Sequence, residues 1–338
     1  MKEKVILWIL ALCCLLAGCA APRSAPVPSA PPSTPEAQEN RPLTVWSVYW
    51  DCQESVAVIG GAADRIEAVS LFAAYFRDGA LFLPQKTLET LQALRDSDAW
   101  AQKPIYLSVV NDVTEGKTTI QKDTGILQSV LSPQQAESHA RALIAMAREN
   151  GFDGIEIDYE KIRKDRSLWQ LFLAFEEILL PLAEDAGLGL RIVLEPGIPA
   201  ETLPFPQGAD YVVMCYNLLH GIGTEPGPKA DLAFLRALYD RFAELPNLSF
   251  ALANGGFDWE EASGKAVSLT EKDAAALAEA HQVLPRRDAA SGALSFSYTQ
   301  DSTRHTVWYA DSETLALWAA ELDACAGKTV PISIWRVD

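Results

Sequence analysis

The 338-residue sequence predicts a (β/α)8 barrel with a small β insertion after the seventh strand. Eight short β-rich runs alternate with helical patterns over roughly 290 residues, close to the usual size of such a barrel. Several runs are almost continuously apolar, as parallel strands covered on both faces are. Polar residues end several of them, where barrel proteins place their chemistry. An open doubly wound sheet is the alternative, but no glycine-rich phosphate fingerprint follows any strand.

The barrel is expected to begin at residue 43, because what precedes it cannot fold with it. Lys2 and Lys4 lead into the apolar run "VILWILALCCLLAG", which stops at Cys19. That run suits a signal-peptide core and is short for a membrane span. Its end, Leu16-Ala17-Gly18-Cys19, resembles a bacterial lipobox, which implies a signal peptide over 1–18 and a lipid on Cys19. Residues 19–42 are rich in Pro, Ala and Ser with few large apolar side chains, and are expected to form a semi-extended tether. A lipid, a tether and a domain (43–338) imply a monomer held outside the cytoplasm on a bacterial membrane. The formal charge of −17, about −18 without residues 1–18, argues against nucleic acid and against electrostatic binding to anionic lipid. Besides Cys13, Cys14 and Cys19 there remain Cys52, Cys215 and Cys325, far apart, with no disulfide framework or metal spacing. No cofactor and no metal is expected.

The strand candidates are "LTVWSVYW" (43–50), "AVSLFAAYF" (68–76), "PIYLSVVN" (104–111), "GIEIDYE" (154–160), "LRIVLEP" (190–196), "YVVMCYN" (211–217), "LSFALAN" (248–254) and "PISIW" (331–335). Asp51, Asn111, Glu195, Asn217 and Asn254 stand at or just beyond their ends. Among the helices, Ser132, Pro133 and Gln135 read as a cap, a first-turn proline and a capping-box partner for a helix ending before Gly151. The next helix lines up Leu168, Leu171, Phe172, Phe175, Ile178, Leu179 and Leu182. Two more open on Asp231 and on Asp311-Ser312. Between 257 and 310, "ALSFSYTQDSTRHTVWYAD" predicts two antiparallel strands turning near Asp301, an insertion expected to pack over the barrel mouth. His305 within it and His220 after the sixth strand read as surface or supporting groups.

The fourth strand carries the chemistry. "GFDGIEIDYEK" threads Asp153, Glu156, Asp158 and Glu160 through an otherwise apolar run. Side chains alternate along a strand, so Glu156, Asp158 and Glu160 share the barrel interior while Ile155, Ile157 and Tyr159 pack under the helices. Glu160 falls at the carboxyl end. Stacked acids cannot all ionise cheaply, so at least one should hold its proton near neutral pH, as a general acid must.

"DGIEIDYE" resembles the D-x-x-D-x-D-x-E signature of glycoside hydrolase family 18, the chitinase-like barrels. "MCYN" (214–217), "ISIW" ending in Trp335, and the "SYTQDSTRHTVWYAD" stretch resemble other parts of that family, particularly its cell-wall and spore-cortex branch. The resemblance spans 43–338. It implies a glycosidase, of endo-β-N-acetylglucosaminidase or chitinase type, acting on β-1,4-linked N-acetylglucosamine glycans such as peptidoglycan or chitin-like polymers. The implied mechanism is retaining and substrate-assisted. Glu160 would be the general acid, Asp158 the partner of the acetamide N–H, and Tyr216 the donor to the acetamide oxygen. Asn217, Trp335, Glu156, Asp51 and Asn254 would contact substrate, and Asp153 would support the strand. Met214 and Cys215 read as barrel packing. Two departures stand out: Glu156 replaces the family's usual Asp, and "LSVVND" lacks the S-x-G-G of chitinases. A retired barrel that only binds glycan is the alternative reading. A transporter's solute-binding lipoprotein would need two lobes that this single run of strands does not suggest.

Overall fold

A computed structural model describes residues 41–337, apart from 217 and 220–224. The expected signal segment, Cys19, the tether as far as residue 40, Asn217 and His220 lie outside the described residues. Eight strands form the barrel: β1 (Leu43–Val48), β2 (Ala68–Arg77), β3 (Ile105–Glu115), β4 (Gly154–Asp158), β5 (Gly189–Leu194), β6 (Asp210–Met214), β7 (Leu248–Ala253) and β8 (Ile332–Trp335). Each pairs in parallel with the next, and β8 returns to β1, so the sheet closes. Closure leaves the barrel strands without a free edge.

The helices are α1 (Cys52–Gly61), α2 (Gln85–Arg95), α3 (Thr124–Val130), α4 (Ala136–Asn150), α5 (Arg166–Asp185), α6 (Leu232–Phe242), α7 (Glu271–Ala280) and α8 (Ser312–Ala326). Asp165, Asp231 and Asp311 cap α5, α6 and α8 by accepting from Leu168 N (3.0 Å), Phe234 N (2.7 Å) and Thr314 N (2.8 Å). The capping box expected at Ser132 does not form. Ser132 Oγ donates to Ser129 O instead (2.8 Å), and α4 begins only at Ala136. The alternation lapses once: between β5 and β6 the described chain makes only a 3-10 turn, Ala200–Thr202. Pro196, Pro199, Pro204 and Pro206 explain this, since each lacks the amide hydrogen a helix interior needs. No helix among the described residues is long and apolar enough to cross a membrane.

The insertion is larger than the two strands expected. Strands 255–260, 265–269, 286–287, 294–300 and 303–310 form a separate antiparallel sheet, with α7 packed on it. Asp301 and Ser302 make the predicted turn with φ of 49° and 64°, the left-handed pair that matches hairpin twist.

Two layers of packing follow from strand alternation. Ile155, Ile157 and Tyr159 join the large apolar core under the helices, whereas Trp46, Val193, Val212, Met214, Tyr216, Ala251 and Ala253 fill the barrel interior. At the lower end of the barrel the ring of Tyr106 packs against Gly154 and Gly189. A Cβ on Gly154 would stand 2.4 Å from its ring and 2.7 Å from Gly189 O, and one on Gly189 would stand 3.0 Å from the same ring. The glycine that opens "GIEID" is therefore demanded by a neighbouring strand.

His139 and Glu176 are buried between strands and helices. His139 is held neutral, its pKa pushed down to about 4 by burial, and its Nε2 lies 2.7 Å from Tyr159 Oη. Burial pushes Glu176 up to about 8, although the Tyr211 hydroxyl 3.0 Å away pulls it down. That hydroxyl carries one proton, and Pro206 O lies 2.9 Å from it as well. A protonated Glu176 completes the set by donating to Tyr211 while Tyr211 donates to Pro206. The folded pKa exceeds the unfolded one. The associated stability is thus whole below about pH 4.3 and declines as pH rises toward 8. Glu176→Gln keeps the shape and removes the titration. Its melting temperature should equal wild type near pH 4.5 and exceed it by several degrees at pH 8, for a gain on the order of 3 kcal/mol. Equal differences at both pH values would contradict a protonated Glu176.

Candidate active site

Strand parity stacks three charged levels inside the barrel. The lowest is a buried ion pair. Glu156 is completely buried; its Oε2 accepts from Arg191 Nε (2.9 Å) and Ser70 Oγ (2.9 Å), and its Oε1 from Trp46 Nε1 (2.5 Å). Arg191 also donates to Ser333 Oγ (2.9 Å) and Thr44 Oγ1 (3.4 Å). Three strands, β1, β2 and β5, thus converge on the one carboxylate of β4, and β8 joins them through Arg191. Contrary to the expected contact with substrate, Glu156 has no exposed surface and both oxygens engaged, and it supports the site from beneath.

Asp158 occupies the next level, 8 % exposed, with no hydrogen-bond partner for Oδ1 among the described residues. An orphaned buried carboxylate oxygen is costly unless protonated or met by a ligand. Burial first, and the Glu160 charge second, raise its pKa well above the ordinary carboxylate range. Glu160 lies just past the end of β4. Asn111, fully buried on β3, fixes its backbone: Glu160 N donates to Asn111 Oδ1 (3.0 Å), and Asn111 Nδ2 donates to Glu160 O (3.1 Å). Burial raises the pKa of Glu160 while Lys122, whose ammonium forms an ion pair with its Oε1, lowers it; the net direction is upward.

These groups face a cavity of about 400 Å³ at the carboxyl ends of the strands. Asp158, Glu160, Met214, Tyr216 and Trp335 line it together with residues no motif had indicated: Tyr49, Trp50, Phe72, Tyr75, Asp112, Gln121 and Lys122. Tyr216 is nearly buried and keeps its hydroxyl proton, because burial, then Asp158 and Glu160, disfavour the phenolate. It is therefore available as a neutral donor. Trp335 is partly exposed and held edge-on by Phe72 (4.9 Å) and Trp46 (5.9 Å between ring centres). Trp50 is 51 % exposed at the rim, edge-on to Tyr49 at 5.0 Å. Cis peptides occur at Phe72–Ala73 and Trp335–Arg336. A larger cavity, about 570 Å³, opens at the opposite end around Tyr106, Arg191 and Asp210, away from the acids of the mouth.

Other predicted residues lie elsewhere. Asp51 precedes α1 and pairs with Arg336 (3.8 Å) outside the cavity lining. The Asn254 amide, in the orientation that satisfies both its ends, donates to Trp335 O (3.2 Å) and Arg336 O (3.1 Å). Both were expected to touch substrate; instead they brace the chain around the end of β8. Asp153, at the start of β4, accepts from Ile105 N (2.7 Å) and pairs with Arg95, tying β4 to β3 and α2. Cys215 points into the outer core, and Met214, read as packing, also contributes to the cavity wall. No described residue of the insertion lines the cavity, contrary to the expectation that it covers the mouth. Arg191 could have been paired with Glu156 by parity, since a lone Arg inside an apolar strand needs an internal partner.

No protein-family model matches the sequence, and no curated protein matches it. Solved structures do. The fold is that of chitinases and spore cortex-lytic enzymes. A chitinase from Chromobacterium violaceum superposes with a TM-score of 0.73 at 21 % identity, covering 88 % of this chain and 94 % of that one. The Bacillus cereus spore cortex-lytic enzyme SleL gives 0.72 at 16 % identity, over 88 % of this chain and 71 % of that one. A variant of the family 18 chitinase from Cycas revoluta, solved with (GlcNAc)4, gives 0.68 at 16 % identity over 87 % and 94 % of the two chains.

Proposed function

We propose that this chain is a glycoside hydrolase cleaving β-1,4-linked N-acetylglucosamine-containing glycans, of the peptidoglycan or chitin-like kind, by a retaining, substrate-assisted mechanism. The observation that carries the reading is the vertical order of the acids: an unpartnered, buried Asp158 beneath Glu160, both facing one aromatic-walled cavity. Glu160 protonates the glycosidic oxygen. The sugar's own acetamide oxygen then attacks the anomeric carbon, and Glu160, now a carboxylate, takes a proton from the water that opens the oxazolinium ion. Asp158 accepts the acetamide N–H, which supplies the partner its Oδ1 lacks and orients the nucleophile. Tyr216 donates to the acetamide oxygen, and Trp335 supports the sugar face with its ring. Asn217 is assigned to nearby sugar hydroxyls. Support also comes from the shared fold with chitinases and a cortex-lytic enzyme. A lipid on Cys19 would hold the monomer on the outer face of a bacterial membrane, within reach of envelope polymers.

The Lys122–Glu160 ion pair favours a second reading, a barrel that binds glycan without cleaving it, because an ammonium on Glu160 favours the form that cannot donate a proton. One experiment separates the two. The full-length protein is incubated with purified peptidoglycan and with N-acetylglucosamine oligomers, and the products are analysed by mass. Fragments ending in a reducing N-acetyl sugar are expected. Measurable oligosaccharide affinity without any product over long incubation would establish the binding protein instead.

A further inference from the structure

The contact between Lys122 and Glu160 is built, not incidental. Lys122 lies just beyond the hairpin formed by β3 and the short strand 118–120. Its backbone adopts the left-handed conformation, φ 57°, uncommon for a residue other than glycine. Four bonds hold this segment in place. Lys122 N donates to Asp112 Oδ1 (2.8 Å), Asp123 N to Asn111 O (2.8 Å), Asn111 Nδ2 to Asp123 O (3.1 Å) and Lys161 Nζ to Gln121 O (2.9 Å). Asn111 is the shared element, since the same side chain fixes the backbone of Glu160. One buried amide therefore positions both members of the ion pair. The Glu160 side chain is 14 % exposed and that of Lys122 39 %, so the pair is shielded more than an ordinary surface bridge.

Among the described residues, the other charged groups that act on Glu160 are acids. Asp112 comes from β3, Asp158 from β4 and Glu195 from the chain after β5, and the nearby Tyr216 after β6 is a neutral hydroxyl. Among the described residues that line the cavity, Lys122 is the cation. Its ammonium favours the carboxylate of Glu160, whereas proton donation needs the neutral acid. We propose that Lys122 is a positioning residue that biases Glu160 toward its carboxylate form until a bound saccharide separates the two, so that the segment after β3 sets the pH range over which the site can donate a proton. In the kinetic arm of its test, this inference rests on the proposed hydrolase function; in the spectroscopic arm it does not.

The test compares full-length wild type with Lys122→Met, which keeps the length of the stem, and Lys122→Arg, which keeps the charge. Lys122→Gln replaces the Met variant if that variant melts early. Glu160 is titrated by carbon NMR in protein labelled at glutamate side-chain carboxyls, its signal being the one absent from Glu160→Gln. Loss of the ammonium should move the Glu160 titration up by about one pH unit, and Lys122→Arg should leave it near wild type. The alkaline limb of kcat/KM on an N-acetylglucosamine oligomer should move in the same direction by a similar amount. A merely structural lysine would lower the melting temperature or the rate without moving either curve. Coincident Glu160 titrations in Lys122→Met and wild type, with both proteins folded, overturn the proposal. If wild type turns over no oligomer, the hydrolase reading fails, and the titration alone decides the role of Lys122.

Discussion

Glu160→Gln is expected to lower turnover of N-acetylglucosamine oligomers by about 10²–10⁴-fold, the usual contribution of a positioned general acid. The fold should survive. Asn111 holds residue 160 through its backbone N and O, which the substitution leaves in place. The side chain gives up its ion pair with the partly exposed Lys122, worth about 1–2 kcal/mol. Initial rates measured by product mass, beside a circular-dichroism melt, separate chemistry from folding. A Glu160→Gln protein that matches wild type in rate would remove Glu160 from the mechanism, whatever the fold resembles. Oligosaccharide affinity should persist, since the cavity wall is otherwise unchanged.

The largest effect on stability is expected at Arg191. Arg191→Met leaves the carboxylate of Glu156 fully buried with its cationic partner gone, a situation that typically costs 3–5 kcal/mol. The same change withdraws the donors that reach Ser333 on β8 and Thr44 on β1. For a domain of this size, a fall in melting temperature of about 10 °C is expected. The double variant Glu156→Met, Arg191→Met should recover most of the loss, because replacing both partners removes the unpaired charge as well as the pair. Thermal melts of the two single variants and the double one measure the coupling. If Arg191→Met costs less than about 1 kcal/mol, the ion pair is not what supports the floor of the cavity.

This ion pair also explains the one position at which the acidic strand departs from the family signature it resembles. The additional methylene of Glu156 accompanies an arginine on the next strand, a tryptophan on β1 and a serine on β2, all bonded to the same carboxylate. The charge at this level is met from beneath. Asp158 above it keeps an oxygen without a partner. A carboxylate satisfied by three donors and one left partly bare, two residues apart on one strand, divide support from chemistry.

Local pattern determined a good deal of this. The alternation of apolar strands with amphipathic helices carries the barrel, because burial on both faces forces near-continuous apolar runs. Period-two parity along "GIEIDYE" assigned Glu156, Asp158 and Glu160 to the interior and Ile155, Ile157 and Tyr159 to the helices, and each described side chain follows it. The Asp caps and the turn at Asp301 were equally local and equally legible. Apart from the capping box at Ser132, what failed was whatever depended on the identity of a distant neighbour. Asp51 and Asn254 stand at strand ends, yet Arg336 and the backbone of β8 engage them outside the cavity. Glu156 sits in the right column, but donors from three other strands close over it. Lys122 follows a hairpin and has no periodicity, and Trp50 and Tyr75, although within the predicted strands 43–50 and 68–76, belong to no motif, so only closure of the barrel brings them to the acids. Sequence alone determines which face a residue takes, since that is set by the geometry of its own strand. Only the tertiary structure decides which charges meet, because a hydrogen bond or ion pair acts over a few ångströms between segments that lie far apart along the chain.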